Sequence, residues 1–250
     1  MKVELHRFVD TVQAAQALVQ KVAADLRRAL SASADRALLL VSGGRSPLPF
    51  FAALTAQPLE WGRIDLSLVD DRSVPHDHVD SNAALVAAYL LTGPASAARW
   101  IPLITAEQEA IADPVMRAVV AAQAANANPA LARPTVIVLG LGLDGHTASL
   151  FADAPEYTDA CTTTDRYVAL RPGAASHARV SLSLHALIAQ QQCYVWSGGR
   201  AKEDTLATIA AQVEQVALGH ADPDTLLQAG PLAQLMACPE VALQVFHTDQ

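Results

Sequence analysis

The stretch TVIVLGLGLDGHTASLF, residues 135–151, decides the fold. An apolar, β-branched run leads straight into a glycine-rich turn that carries Asp144, His146, Thr147 and Ser149. A strand end that opens into such a loop is where open α/β proteins hold their chemistry. The loop offers one imidazole as a general base and one carboxylate to orient it.

Working outward, strands and helices alternate on both sides. On the N-terminal side, residues 3–6 read as a strand. Residues 11–30 read as an amphipathic helix with Val12, Ala15, Val19, Val22, Leu26 and Leu30 inward. Residues 37–41 form a buried-type strand ending at Ser42-Gly43-Gly44, and Pro47 starts a helix to about residue 56. Residues 64–69 are a strand closing on Asp70-Asp71-Arg72. A polar loop over 73–80 follows, with Ser81 capping a helix over 82–91. A brief strand at 100–103 precedes a helical pattern over 106–126 that breaks or restarts at Pro114, and 128–134 is a linker.

Beyond the central stretch, 167–170 and 179–182 read as strands around a Pro172-Gly173 turn, and 184–189 as a helical turn. Residues 192–196 are a strand closing on Ser197-Gly198-Gly199. A helix over 202–218 follows with Leu206, Ile209, Val213 and Val216 inward, then a short helix at 231–236 and a last strand at 241–246. This alternation predicts an α/β fold: an open, largely parallel, mixed-edge sheet with helices on both faces. One domain, 1–250, accommodates it.

Composition agrees. The 250 residues are 52% hydrophobic, enough for one sizeable domain. A net charge of −8, from 17 basic and 25 acidic residues, repels nucleic acid in bulk. An anionic ligand can still bind where basic groups gather. Cys161, Cys193 and Cys238 have no paired spacing, which suits a reducing, cytoplasmic setting. The opening MKVELHRFVD is not expected to act as a signal peptide, and no stretch reaches the roughly 18 apolar residues of a membrane span.

Several motifs carry chemistry. Gly140, Gly142 and Gly145 satisfy GxGxxG after a strand, but Pro155 limits the following helix, and Asp144 and His146 have no use beside a pyrophosphate. His146 is the leading general base. Asp144 either holds its ring or sits over a helix N-terminus. The hinge Ser42-Gly43-Gly44-Arg45-Ser46-Pro47 is either an anion or oxyanion site built on backbone N–H groups or an ordinary tight turn. Asp70, Asp71 and Arg72 form either a polar network near a ligand or a surface ion pair; Arg72 has the planar fork that suits phosphate. Lys202 stands in the first turn of a helix, where the dipole disfavours a cation unless an anion is bound. Arg179 begins a strand, and Arg171 is a further basic candidate. His76 and His78, with Asp77 and Asp80, have metal-ligand types but no third spaced ligand, so the segment reads as a solvated loop. No HExxH, paired CxxC or G-x-S-x-G occurs.

Five ordered blocks resemble the 6-phosphogluconolactonase family over nearly the whole length: residues 42–47, 70–75 with 78–82, 140–152, 179–181 and 199–202. The DGHTASLF block is the most specific. The resemblance implies a Rossmann-like modified three-layer fold, in the group shared with glucosamine-6-phosphate deaminase and ribose-5-phosphate isomerase. It implies hydrolysis of 6-phospho-D-glucono-1,5-lactone in the oxidative pentose phosphate pathway, with no metal or cofactor. The implied partner is a phosphorylated sugar lactone, handled by a monomer or weak homodimer. His146 matches the family's general base, with Asp144 beside it. Arg72, Arg179 and Lys202 match the basic groups around the substrate, and Gly43 and Gly44 the hinge at the mouth. Three departures stand out: Asp71 where glutamate is usual, Arg45 where a small polar residue is common, and Ala152-Asp153 where proline is expected. The sister deaminases share the DGH turn but carry a glutamate five positions after the histidine. Here that position is Phe151, which has no proton to move. A silent sugar-phosphate sensor is the non-enzymatic alternative.

Overall fold

The computed structural model describes residues 3–33, 35–173, 175–190 and 192–249. Ten strands run in chain order: β1 (Val3–Phe8), β2 (Ala37–Val41), β3 (Ile64–Leu68), β4 (Asp70–Arg72), β5 (Arg99–Trp100), β6 (Val136–Gly140), β7 (Tyr167–Leu170), β8 (Arg179–Leu182), β9 (Gln192–Gly198) and β10 (Ala242–Thr248). The helices are α1 (Thr11–Ala32), α2 (Leu48–Thr55), α3 (Asn82–Tyr89), α4 (Ala106–Glu109), α5 (Pro114–Ala127), α6 (Tyr157–Thr162), α7 (Leu184–Ile188), α8 (Arg200–Ala217), α9 (Thr225–Gln228) and α10 (Pro231–Ala237).

Seven strands form one sheet in the order β1-β10-β9-β6-β2-β3-β5, parallel at every pair. β2 (ALLLV) and β6 (VIVLG) are apolar and β2 and β3 are buried along their length, as a sheet covered on both faces requires, with Asp65 and Ser67 the polar residues of β3. Tyr194 donates its hydroxyl to Asp25 of α1 at 2.5 Å, so α1 covers one face. Val245 and His247, of the opposite parity, lie beside Leu206 and Ala210 of α8 on the other. The antiparallel component expected at the edge stands apart, as a three-stranded sheet β4-β8-β7 packed under α5.

The chain lays β2, β3 and β5 in one direction, then crosses back to place β6 on the other side of β2. Such a reversal leaves a crevice beyond the carboxyl ends of the two strands, where open α/β sheets take their ligands.

Local departures have local causes. Val12 is 59% exposed, because α1 meets the sheet only from Ala14 onward. The strand over 64–69 stops at Leu68. Asp70–Arg72 then leaves the main sheet and pairs with β8. Only Arg99 and Trp100 of the brief fifth strand pair, at the edge beside β3. Pro114 restarts the helix, with Asp113 accepting from the N–H groups of Val115 and Met116. The linker over 128–134 contains a single 3-10 turn, Pro129–Leu131. Among the described residues no helix is long and apolar enough to cross a membrane.

Candidate active site

A cleft of about 300 Å³ opens beyond the carboxyl ends of β2, β6 and β9. Gly43, Arg72, His146, Arg179 and Lys202 border it, five sequence-predicted residues drawn from five separate segments.

The loop after β6 builds one wall. His146 Nδ1 lies 2.5 Å from Asp144 Oδ1, and the same oxygen accepts the His146 N–H at 3.3 Å. Bonding to the imidazole holds the Asp144 carboxyl below the usual carboxylate range. The ring stacks on Phe151, with centroids 3.9 Å apart and planes 29° from parallel. With Nδ1–H donated to Asp144, the lone pair belongs to Nε2. Gly142 backs this pair so closely that a Cβ there would lie 2.1 Å from His146 Nδ1. Thr147 donates its hydroxyl to the Gly140 carbonyl at 2.8 Å, and Ser149 donates to Asp70 Oδ2 at 2.5 Å. Ala148 between them takes φ +52°, left-handed for a non-glycine residue, which places a strained backbone on the cleft wall.

The second sheet builds the opposite wall. The register of β4 against β8 sets Arg72 directly across from Arg179. Like charges in facing positions are unfavourable without a shared anion. Arg72 donates to the Asp80 carbonyl at 2.6 Å. Arg179 is 7% exposed, and its Nε and Nη1 atoms have no hydrogen-bond partner among the described residues. Burial pulls its guanidinium pKa down, and the nearby Asp70 charge opposes that pull. Lys202, in the first turn of α8, borders the same space, and burial draws its ammonium pKa down.

The glycine hinge forms the floor and mouth. Ser42 Oγ accepts the Gly140 N–H at 3.0 Å, joining the hinge to β6. Trp196 donates Nε1–H to the Ser46 carbonyl at 2.8 Å, tying it to β9. A Cβ at Gly43 would meet the Asn82 side chain at 2.1 Å, so this close approach needs glycine. Gly44, at φ +87°, makes the turn itself.

Four predicted residues lie outside the cleft lining, among them Asp144, which meets the cleft through its bond to His146. Gly44 is half-buried, and Arg45 is exposed on the surface. Asp71 is 2% exposed, and its carboxylate accepts from the N–H groups of Arg72, Asn82 and Ala83. It therefore binds the N-terminus of α3 rather than facing the cleft. Arg171 is engaged by Glu156 at 2.7 Å. His76 pairs with Glu109, while His78 and Asp80 are joined by His177 from the β7–β8 connection. That third metal-type group is 97 residues from Asp80 and invisible to local spacing. Sequence reasoning also missed Trp196, whose role as hinge anchor depends on a contact spanning 150 residues.

Residues 9–231 match the family described as glucosamine-6-phosphate isomerases/6-phosphogluconolactonase. A 6-phosphogluconolactonase of Neisseria meningitidis is 40% identical over 187 residues, 73% of this chain and 77% of that protein. One from Pseudomonas aeruginosa is 39% identical over 218 residues, 85% and 88% of the two chains. The crystal structure of a 6-phosphogluconolactonase from Shewanella baltica superposes with a TM-score of 0.83 at 30% identity, covering 98% of this chain and 97% of that one.

Proposed function

Since the chain belongs to the glucosamine-6-phosphate isomerase/6-phosphogluconolactonase family, we propose that its cleft is a lactonase centre in which His146 activates water and Arg72, Arg179 and Lys202 hold the phosphate. The reaction is hydrolysis of 6-phosphogluconolactone to 6-phosphogluconate, a step of the pentose phosphate pathway. The observation that carries the assignment of roles is the buried Arg179, whose Nε and Nη1 have no partner among the described residues, facing the same 300 Å³ space as the His146 ring that Asp144 holds.

A sugar-phosphate lactone is charged at one end and electrophilic at the other. The cations take the dianion through charge-assisted hydrogen bonds, which satisfies Arg179 and neutralises its opposition to Arg72. That anchorage leaves C1 beside the imidazole. His146 Nε2 accepts a proton from water as the oxygen attacks C1, and Asp144 stabilises the imidazolium. Charge growing on the carbonyl oxygen is met by backbone N–H groups that border the cleft, that of Gly43 among them. Ring opening expels the C5 oxygen, and the imidazolium returns the proton to it. No covalent enzyme intermediate is needed. Phe151 against the imidazole is apolar, so the cleft lacks at that position the proton-transfer group that an aldose–ketose isomerisation demands.

The enzyme works in the cytoplasm as a monomer or weak homodimer on this reading. Support for the compartment comes from Cys161, Cys193 and Cys238, none of which is bridged. A pH-stat assay with fresh 6-phosphogluconolactone, and unphosphorylated gluconolactone as control, tests the whole proposal. His146→Ala is expected to lower kcat by about 10²–10⁴-fold. A near-wild-type rate in that variant removes the imidazole from the mechanism. Equal kcat/KM for the two lactones removes the phosphate grip.

A further inference from the structure

We propose that Glu203, His247 and Asp249 form a binding site for a divalent first-row transition-metal ion, separate from the catalytic cleft. Each offers one ligand atom, and the three atoms lie within 4.8 Å of one another. None of the three borders the cleft. They meet where the ends of β9 and β10 reach the first turn of α8. The Gly199 N–H donates to the Thr248 carbonyl at 2.8 Å, and the Asp249 N–H to the Phe8 carbonyl at 3.1 Å.

The two carboxylates alone would be an ordinary surface pair. His247 changes that, because it is 1% exposed and its Nε2 has no hydrogen-bond partner among the described residues. Its Nδ1 lies 3.2 Å from Ser197 Oγ. With Nδ1–H donated to that hydroxyl, Nε2 carries a lone pair, in the arrangement by which an outer hydrogen bond fixes a metal-binding imidazole. A buried lone pair beside two carboxylates draws positive charge, and the Arg7 guanidinium meets this group through Glu203, at 3.4 Å. Burial pulls the His247 pKa down, against the nearby Glu203 and Asp249 charges and with those of Arg7 and Lys202, so the ring itself is a poor source of that charge.

One imidazole and two carboxylates suit Zn²⁺, Co²⁺ or Mn²⁺ better than Mg²⁺ or Ca²⁺, which favour oxygen shells. In a tetrahedral shell, bonds of about 2.0–2.2 Å place the donors of one ion roughly 3.3–3.6 Å apart. Small rotations of the partly exposed Glu203 and exposed Asp249 side chains close the shell to that size. The rival occupant is Arg7, whose Nη2 lies 3.4 Å from Glu203 Oε1, beyond a good charge-assisted bond. An ion here ties the end of β10 to the first turn of α8, one residue from Lys202.

The test uses the full-length, chelator-treated protein. Zn²⁺ is titrated by calorimetry and Co²⁺ by visible absorption, with Mg²⁺ as control. One Zn²⁺ per chain and a Co²⁺ ligand-field band are expected. Glu203→Gln and Asp249→Asn should each weaken binding about tenfold or more, and Ser197→Ala about tenfold through the outer hydrogen bond. Both acidic residues are accessible, so these variants fold without disturbing the core. His177→Gln, which disrupts the other His–Asp cluster, should leave binding unchanged. Absence of Zn²⁺ binding overturns the site. So does binding that survives both acidic substitutions, or that is lost on His177→Gln or on thiol blocking.

Discussion

At the scale of single residues, the site depends on one side chain held at a cost and one left out. Gly142 has no Cβ because the Asp144–His146 pair fills that space, and a methyl there would lie 2.6 Å from Asp144 Oδ1. Gly142→Ala is therefore expected to displace the imidazole by a fraction of an ångström to an ångström and lower kcat about 10²-fold. Urea unfolding of the same variant should change little, since the loop is at the surface. A kcat equal to wild type would remove the pair from the chemistry. Arg179 shows the opposite balance. Its buried Nε and Nη1 atoms are unsatisfied in the free protein, a state that opposes folding. Arg179→Met keeps the apolar stem and removes the orphaned charge. The free variant should melt at or above the wild-type temperature, while KM rises about 10- to 100-fold for the loss of charge-assisted bonds. A lower Tm with an unchanged KM would make Arg179 a structural residue.

At the scale of elements, the contrast between α3 and the β6 loop shows what the sequence could and could not carry. Strand and helix positions are written in local periodicity, so β2, β6, β8 and α8 stand within a few residues of their patterns. The Ser81 cap is equally local: its hydroxyl accepts the Ala84 N–H at 3.1 Å. Asp71 is different. Its carboxylate crosses from β4 to take the Asn82 and Ala83 N–H groups, a contact over 11 and 12 residues that no spacing rule encodes. A strand-end aspartate beside an arginine reads as a ligand group, yet it serves as a second cap on α3. The same limit hid the Arg72–Arg179 register and the Trp196 anchor, which depend on which strands become neighbours. Asp71 also has a pH signature. Burial pushes its carboxyl up to about 7, while its backbone N–H donors pull the other way. The unfolded chain releases this proton near pH 4. Between roughly pH 4 and 7 the native state holds more protons, so stability falls as pH rises through that window. Asp71→Asn cannot titrate, and its unfolding free energy should lack that part of the decline. Parallel profiles for the two proteins from pH 5 to 8 would show that Asp71 is ionised throughout.

At the scale of the whole molecule, a net charge of −8 confronts a dianionic substrate, and the cleft must reverse the sign of the field locally. The chain does this by topology. Arg72 and Arg179 come from the second sheet and Lys202 from the helix after β9, so three cations from distant segments converge where the main sheet has its crevice. Salt acts on the two fields differently. The long-range repulsion is spread over the surface and is largely screened beyond about 10 Å at 0.1 M ionic strength. On the proposed reading the cations would meet the phosphate at contact distance in a partly buried cleft, where screening is weaker but ion competition for the site is direct. Raising NaCl from about 0.02 M to about 0.1 M should therefore change KM little or lower it slightly, as the surface repulsion fades first. Beyond that, KM should climb as chloride and screening erode the grip, with kcat nearly constant because water attack at C1 involves no distant charge. The unphosphorylated lactone has no dianion to lose, so its kcat/KM should stay flat across the same range. Steady-state kinetics on both lactones over that range decide the matter. A KM for the phosphorylated substrate that is as indifferent to high salt as the control would mean that the phosphate is held by neutral groups, and that the convergence of Arg72, Arg179 and Lys202 serves some other end.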